Sequence, residues 1–186
     1  INVLCNQRRL AFSSKTPGRT RLINMFGLPD PLDPEGHIGY LVDLPGYGYA
    51  SVARDEKEKW ADILGGYLRD RESLAGIVLL IDIRRGVTEL DRRLANFIAP
   101  TGRPVLALLT KADKLSRMQA NNALFAVQKQ LKQANLHQLV SVQCFSALKY
   151  TGLDELKAVL QSWLAPAATT VEESPIDAEA PKTQPQ

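Results

Sequence analysis

Short apolar runs that end in polar turns alternate along this chain with amphipathic helical stretches, and that alternation limits the possible fold more than any other feature. Candidate strands run from Arg21 to Gly27, Ile38 to Asp43, Ile77 to Ile83, Val105 to Thr110 and Val140 to Cys144. Helical patterns follow at Ala53 to Arg71, Glu89 to Ile98, Arg117 to Ala134 and Leu153 to Leu164. Such an order predicts an α/β fold, a mainly parallel sheet flanked by helices. Open sheets of this kind bind ligands beyond the C-terminal ends of their strands, so the turns after the apolar runs hold the chemistry.

One of those turns is Thr110-Lys111-Ala112-Asp113, which follows the run Val105 to Leu109. This [NT]-K-x-D pattern at a strand end points to a guanine nucleotide. A short carboxylate such as Asp113 can accept two hydrogen bonds, from the ring N–H and the exocyclic amine of guanine, whereas adenine has no matching pair of donors on that edge. The Lys111 stem can lie over the base plane with its ammonium free for polar contacts.

A second element stands upstream in the expected order. The strand that ends at Asp43 runs into Asp43-Leu44-Pro45-Gly46, the D-x-x-G pattern of a nucleotide switch. In such a site the aspartate holds Mg²⁺, usually through a water, and the glycine lets its backbone N–H approach the terminal phosphate with no Cβ in the way. Loss of that phosphate removes the contact and releases the segment that follows, here Gly46 to Ala50.

Two further pieces belong with these. The polar loop Ser13 to Thr20 precedes the first candidate strand, and Thr20 is a candidate hydroxyl ligand for Mg²⁺ in the triphosphate state, with Thr16 competing for that role. Phe145-Ser146-Ala147 follows the last strand, where a backbone N–H can meet the guanine carbonyl.

The chain at this point resembles the EngB family of ribosome-biogenesis GTPases, in the translation-factor-like branch of the P-loop GTPases. The resemblance rests on Ser14 to Thr20 (SKTPGRT), Leu41 to Ala50 (LVDLPGYGYA), Leu108 to Leu115 (LLTKADKL) and Phe145 to Leu156 (FSALKYTGLDEL), and it runs from Ile1 to about Leu164. It implies a P-loop GTPase-type sheet, with GTP or GDP as ligand and Mg²⁺ as cofactor. Gly18, Arg19, Thr20, Arg21 and Leu22 would then belong to the first switch. Asp43, Leu44, Pro45 and Gly46 would contact Mg²⁺ and the terminal phosphate. Thr110, Lys111, Ala112 and Asp113 would read guanine, and Phe145, Ser146 and Ala147 would finish the base pocket. The resemblance further implies contact with the large ribosomal subunit during its assembly, and a need for the protein in normal cell division.

The pattern G-x-x-x-x-G-K-[ST] does not occur in these 186 residues. The phosphate-cradling loop, its lysine and its Mg²⁺-binding hydroxyl are therefore missing from the sequence. In the family that loop precedes a helix that Ile1 to Cys5 resembles, so the expectation is a chain truncated at its N-terminus that lacks the first strand. These residues alone would then bind guanine nucleotide very weakly. In the GTPase topology the missing strand lies between Ile38 to Asp43 and Ile77 to Ile83, which should leave those two strands unpaired with each other.

With 45% of its residues apolar, the chain can bury a substantial single core. No apolar run approaches the roughly 18 residues that span a bilayer, and no cleavable signal is visible, so cytoplasmic residence is expected. Cys5 and Cys144 are too isolated for a disulfide framework or a zinc cluster and read as buried apolar thiols; His37 and His137 show no ligand spacing. Beyond Leu164 the composition turns to Ala, Pro, Thr and Glu, which predicts a G domain over 1–164 and a disordered tail over 165–186. The tail is acidic, with Glu172, Glu173, Asp177 and Glu179 against Lys182, so a chain of net charge +3 has a body near +6. A basic body suits a polyanionic partner such as ribosomal RNA, with Arg8, Arg9, Lys15, Arg19, Arg21, Arg84 and Arg85 as candidate contacts.

Tyr47 stands where many GTPases place a water-orienting glutamine, and a phenol positions a nucleophilic water poorly, so intrinsic hydrolysis should be slow. No catalytic residue can be named from the sequence. The expected function is a monomeric GTP-binding, slowly hydrolysing switch in large-subunit assembly. The alternative is a nucleotide-independent RNA- or ribosome-binding module that has lost its phosphate loop.

Overall fold

The computed structural model describes residues 1–11, 22–46, 64–134, 136 and 139–164. Strands are β1 (Asn24–Pro29), β2 (His37–Asp43), β3 (Ile77–Asp82), β4 (Val105–Thr110) and β5 (Val140–Cys144). Helices are α1 (64–70), α2 (Glu89–Ile98), α3 (Arg117–Gln133) and α4 (Leu153–Leu164). The parallel sheet has the order β3-β4-β5, and β1 and β2 form a separate antiparallel pair.

Strand β4 lies at the centre, and its composition explains why. Val105, Leu106, Ala107, Leu108 and Leu109 are all buried, as befits a parallel strand covered on both faces. Alternation sends Val105, Ala107 and Leu109 to one side, where they join Leu79 and Ile81 of β3, Ala95 and Ile98 of α2, and Val127 and Leu131 of α3. Leu106 and Leu108 face the other way, onto Phe145 and Leu156, with Val3, Leu4, Leu160 and Trp163 packed around them. The N-terminal turn that carries Val3 and Leu4 closes with a hydrogen bond from the Cys5 N–H to the Ile1 carbonyl at 2.9 Å.

Local signals fix the helix starts. Thr88 caps α2 in a reciprocal box with Asp91, and Ser116 caps α3 in the same way with Gln119. Arg103, just before β4, donates to the carbonyls of Leu68, Arg69, Arg71 and Leu74, which ties the end of α1 to the sheet.

The described residues 64–70 fall within the helix expected over Ala53 to Arg71; residues 53–63 lie outside the described residues. Strand β1 departs from expectation, since it begins at Asn24 rather than Arg21 and runs on to Pro29. Its span is set by its partner, because the register from Asn24↔Asp43 to Pro29↔His37 exhausts β2. Proline is tolerated there because an edge strand needs no ladder donor on its outer side. No ladder joins β2 to β3, as expected of two strands that are not neighbours in the topology. Strand β2 is held instead by packing. Leu44 reaches the main core, and a Cβ on Gly39 would lie 2.6 Å from Leu164 Cδ2, so β2 rests directly against the end of α4.

Candidate guanine-nucleotide site

Parallel register brings the strand ends together. Asp82, the last residue of β3, pairs with Thr110, the last of β4, while Leu109 pairs with Cys144, the last of β5. The turn after β4 therefore sits between the turns after β3 and β5. Phe145 N–H donates to the Leu109 carbonyl at 2.8 Å, and Ala112 N–H donates to the Phe145 carbonyl at 3.0 Å, which staples the second and third turns to each other.

Within Thr110 to Asp113 the four residues divide the work. Thr110 Oγ1 donates to the Ile81 carbonyl at 3.0 Å, so this hydroxyl latches β4 to β3. Ala112 is buried in the main core. Lys111 adopts the left-handed conformation, with φ 62° and ψ 34°, which costs a non-glycine residue on the order of 1 kcal/mol and is tolerated where surrounding bonds enforce it. Here the short helical turn Ala112–Lys114 begins immediately and the Lys114 N–H donates to the Lys111 carbonyl at 3.0 Å.

Asp113 is held from the third turn. The Ser146 hydroxyl donates to its Oδ1 at 2.6 Å, and Lys114 Nζ lies 3.4 Å from Oδ2. The Ser146 hydroxyl, and after it Lys114, keep the Asp113 carboxyl below the ordinary carboxylate range, against the opposing effect of burial. Ser146 is fully buried, and its oxygen also accepts from the Lys149 N–H at 3.1 Å. The amides of Phe145 and Ser146 are both used inside the protein, the second on the Thr151 carbonyl at 3.0 Å. Of the three amides of this tripeptide, that of Ala147 has no backbone hydrogen bond to another described residue.

On the other side of the turn, Lys111 Nζ lies 3.0 Å from Asp82 Oδ2. Asp82 also accepts from Arg84 Nε at 2.9 Å, Arg84 Nη2 at 2.6 Å and the Arg84 backbone N–H at 3.1 Å. The Arg84 guanidinium, with Lys111 in support, holds the Asp82 carboxyl far below the ordinary range. Sequence reading missed Asp82, although an acid closing an apolar strand was the signal used for Asp43. Arg84, one of the candidate nucleic-acid contacts, has its guanidinium engaged bidentately by Asp82.

Asp43 ends β2. Burial raises its carboxyl pKa, opposed by the charge of the Ile1 ammonium, and no hydrogen bond or side-chain ion pair from another described residue reaches that carboxylate. Pro45 is buried, Leu44 packs on the core, and Gly46 is exposed. Leu22 is exposed. Thr16, Gly18, Arg19, Thr20, Arg21, Tyr47 and Tyr49 lie outside the described residues, as do residues 165–186. Among the described residues no three His, Cys, Asp or Glu side chains cluster as a metal site, and no helix is long and apolar enough to cross a membrane.

Residues 1–111 match the family described as 50S ribosome-binding GTPase. The chain is 72% identical over 166 residues to a probable GTP-binding protein EngB of Bordetella pertussis, spanning 89% of this chain and 79% of that protein. It is 53% identical over 171 residues to the protein of the same description from Burkholderia thailandensis, spanning 90% of this chain and 77% of that one. A crystal structure of a probable GTP-binding protein engB shares the fold with a TM-score of 0.62 over 88% of this chain and 89% of that one, at 17% identity.

Proposed function

Because the chain belongs to the EngB family of GTP-binding proteins, we propose that it is a guanine-nucleotide switch with slow intrinsic GTP hydrolysis, acting as a cytoplasmic monomer in assembly of the large ribosomal subunit and needed for normal cell division. Residues 1–164 form the nucleotide-binding domain and 165–186 its acidic tail. The observation that carries the reading is the Asp113 carboxylate, 8% exposed and fixed by Ser146 beside the left-handed Lys111. A carboxylate kept ionised and immobile can accept from the ring N–H and amine of guanine without first paying to be ordered. Ala147 N–H completes the pocket toward the guanine carbonyl.

Asp43 fits a Mg²⁺ site. A half-buried carboxylate whose ionised form is disfavoured by burial, with only the Ile1 ammonium acting against that and no described side chain hydrogen-bonded to it, gains most from a hard cation. Thr20 supplies a hydroxyl in the triphosphate state, with Thr16 as the rival. When bound, Mg²⁺ would offset phosphate charge at this site. Gly46 presents its N–H to the terminal phosphate, and Gly18 to Leu22 form the first switch. Tyr47 offers no amide to orient water, which keeps hydrolysis slow until a partner orders the site. The large subunit as partner rests on the matched family's description and on the basic body.

Calorimetric titration of the full-length natural protein with GDP and ADP tests this. GDP should bind on the order of a hundredfold tighter, because a pocket built for guanine donors leaves Asp113 unpaired on adenine. Equal affinity for the two would overturn the reading, and binding to large subunits regardless of nucleotide would favour a nucleotide-independent module.

A further inference from the structure

We infer that Asp82 is a positioning residue for the base-reading loop: locked by Arg84, its carboxylate holds the Lys111 ammonium and so sets the aliphatic stem of Lys111 as one wall of the guanine pocket. This inference rests on the guanine-nucleotide reading above.

Three features carry it. The first is direction. The turn after β4 sends Asp113 toward β5, where Ser146 grips it at 2.6 Å, and sends Lys111 toward β3, where Asp82 grips it at 3.0 Å. The two base-reading side chains are thus anchored on opposite neighbouring strands, with the left-handed Lys111 backbone as the pivot between them. The second is the state of Asp82. It accepts four donors, three of them from Arg84, so its carboxylate is fixed before Lys111 arrives. Its side chain is 16% exposed, whereas that of Lys111 is 56% exposed, which leaves the stem open to a ligand while its tip is tethered. The third is register. Asp82 faces Thr110 across the β3–β4 ladder, where the Ile83 N–H donates to the Thr110 carbonyl and the Thr110 hydroxyl donates to the Ile81 carbonyl, so the distance from the Asp82 backbone to Lys111 is set by the sheet rather than by a loop. A long lysine side chain carries substantial rotamer entropy, and a tether of this kind removes part of it ahead of binding.

The test uses Asp82→Ala, Lys111→Met and the double variant in the full-length natural protein, read in two ways. Acylation of Lys111 by a limiting amine reagent, followed by mass spectrometry on the nucleotide-free protein, should run several-fold faster in Asp82→Ala than in wild type, because an exposed, unpaired lysine is released. GDP and GTP affinity should each fall about threefold in Asp82→Ala, the scale of a partly exposed ion pair, with the GDP:GTP ratio unchanged. In the Lys111→Met background the Asp82 substitution should cost nothing further. Arg84→Ala, which leaves Asp82 ionised but loosely held, should give a smaller loss in the same direction. Unchanged acylation overturns the tether whatever the nucleotide data show. Faster acylation with unchanged GDP affinity, or an equal added loss in the Lys111→Met background, overturns the role in the pocket. Failure of wild type to bind GDP would instead defeat the guanine reading on which this inference depends.

Discussion

Ser146 Oγ donates to Asp113 Oδ1 at 2.6 Å across 33 residues of sequence, and the serine is wholly buried. One hydroxyl therefore joins the turn after β5 to the turn after β4. It also accepts from the Lys149 N–H, so it orders the loop that follows it as well as the carboxylate in front of it.

Ser146→Ala removes both bonds and leaves the Lys149 amide without its acceptor. The expected cost in stability is about 1–2 kcal/mol by chemical denaturation. Guanine-nucleotide affinity should fall with it, since Asp113 is no longer fixed. A variant with full stability and wild-type GDP affinity would show that Asp113 is ordered by something other than this contact.

Gly152 has φ 75°, and a Cβ placed there would lie 2.2 Å from the Cys144 carbonyl oxygen. Two independent penalties act at this position, the left-handed backbone and a clash with backbone that cannot swing away. Gly152→Ala should destabilise the protein by about 2 kcal/mol or more, and Gly152→Asn should not rescue it, because asparagine relieves the backbone term alone. Thermal unfolding of the two variants decides this; rescue by asparagine would mean that the turn has room to shift.

Much of the fold was legible because the apolar runs are short, strongly periodic and capped. Strands β4 and β5 and helices α2 and α4 stand at their expected bounds, and the Ser116 and Gln119 pair marks where α3 begins. Strand β1 was displaced by a few residues because its limits come from the register with β2, a contact that no local pattern encodes. The Asp113 turn was legible as a motif, but its supports were not. Ser146 lies 33 residues away from Asp113, and Asp82 lies 29 residues from Lys111. Only parallel pairing of β3, β4 and β5 makes these residues neighbours. Thr110 reads as part of the motif, yet its hydroxyl is occupied by Ile81.

Acid should weaken the protein with a sign fixed by its carboxylates. Asp82 and Asp113 both have lowered folded-state pKa values, so their stabilising contribution is complete above the unfolded value of about 4 and is lost as pH falls through the folded values. Asp43 works in the opposite sense, since burial raises its pKa and its ionised form costs stability at neutral pH. Unfolding midpoints should therefore drop below about pH 4, and Asp43→Asn in metal-free buffer should raise the midpoint at pH 7. A neutral-pH midpoint lowered by that substitution would show that an interaction of the Asp43 carboxylate outweighs its burial.

The central claim is that Asp113, held by Ser146, reads guanine. The direct measurement is a calorimetric titration of GDP and XDP into wild type and Asp113→Asn of the full-length natural protein. An amide at this position turns a donor toward guanine's own donors and an acceptable partner toward the xanthine carbonyl. GDP affinity should fall tenfold or more while XDP affinity rises, so that the preference inverts, as expected when a site's polar groups are left unpaired on the wrong base. GDP affinity unchanged in Asp113→Asn would remove Asp113 from the site and contradict the claim outright.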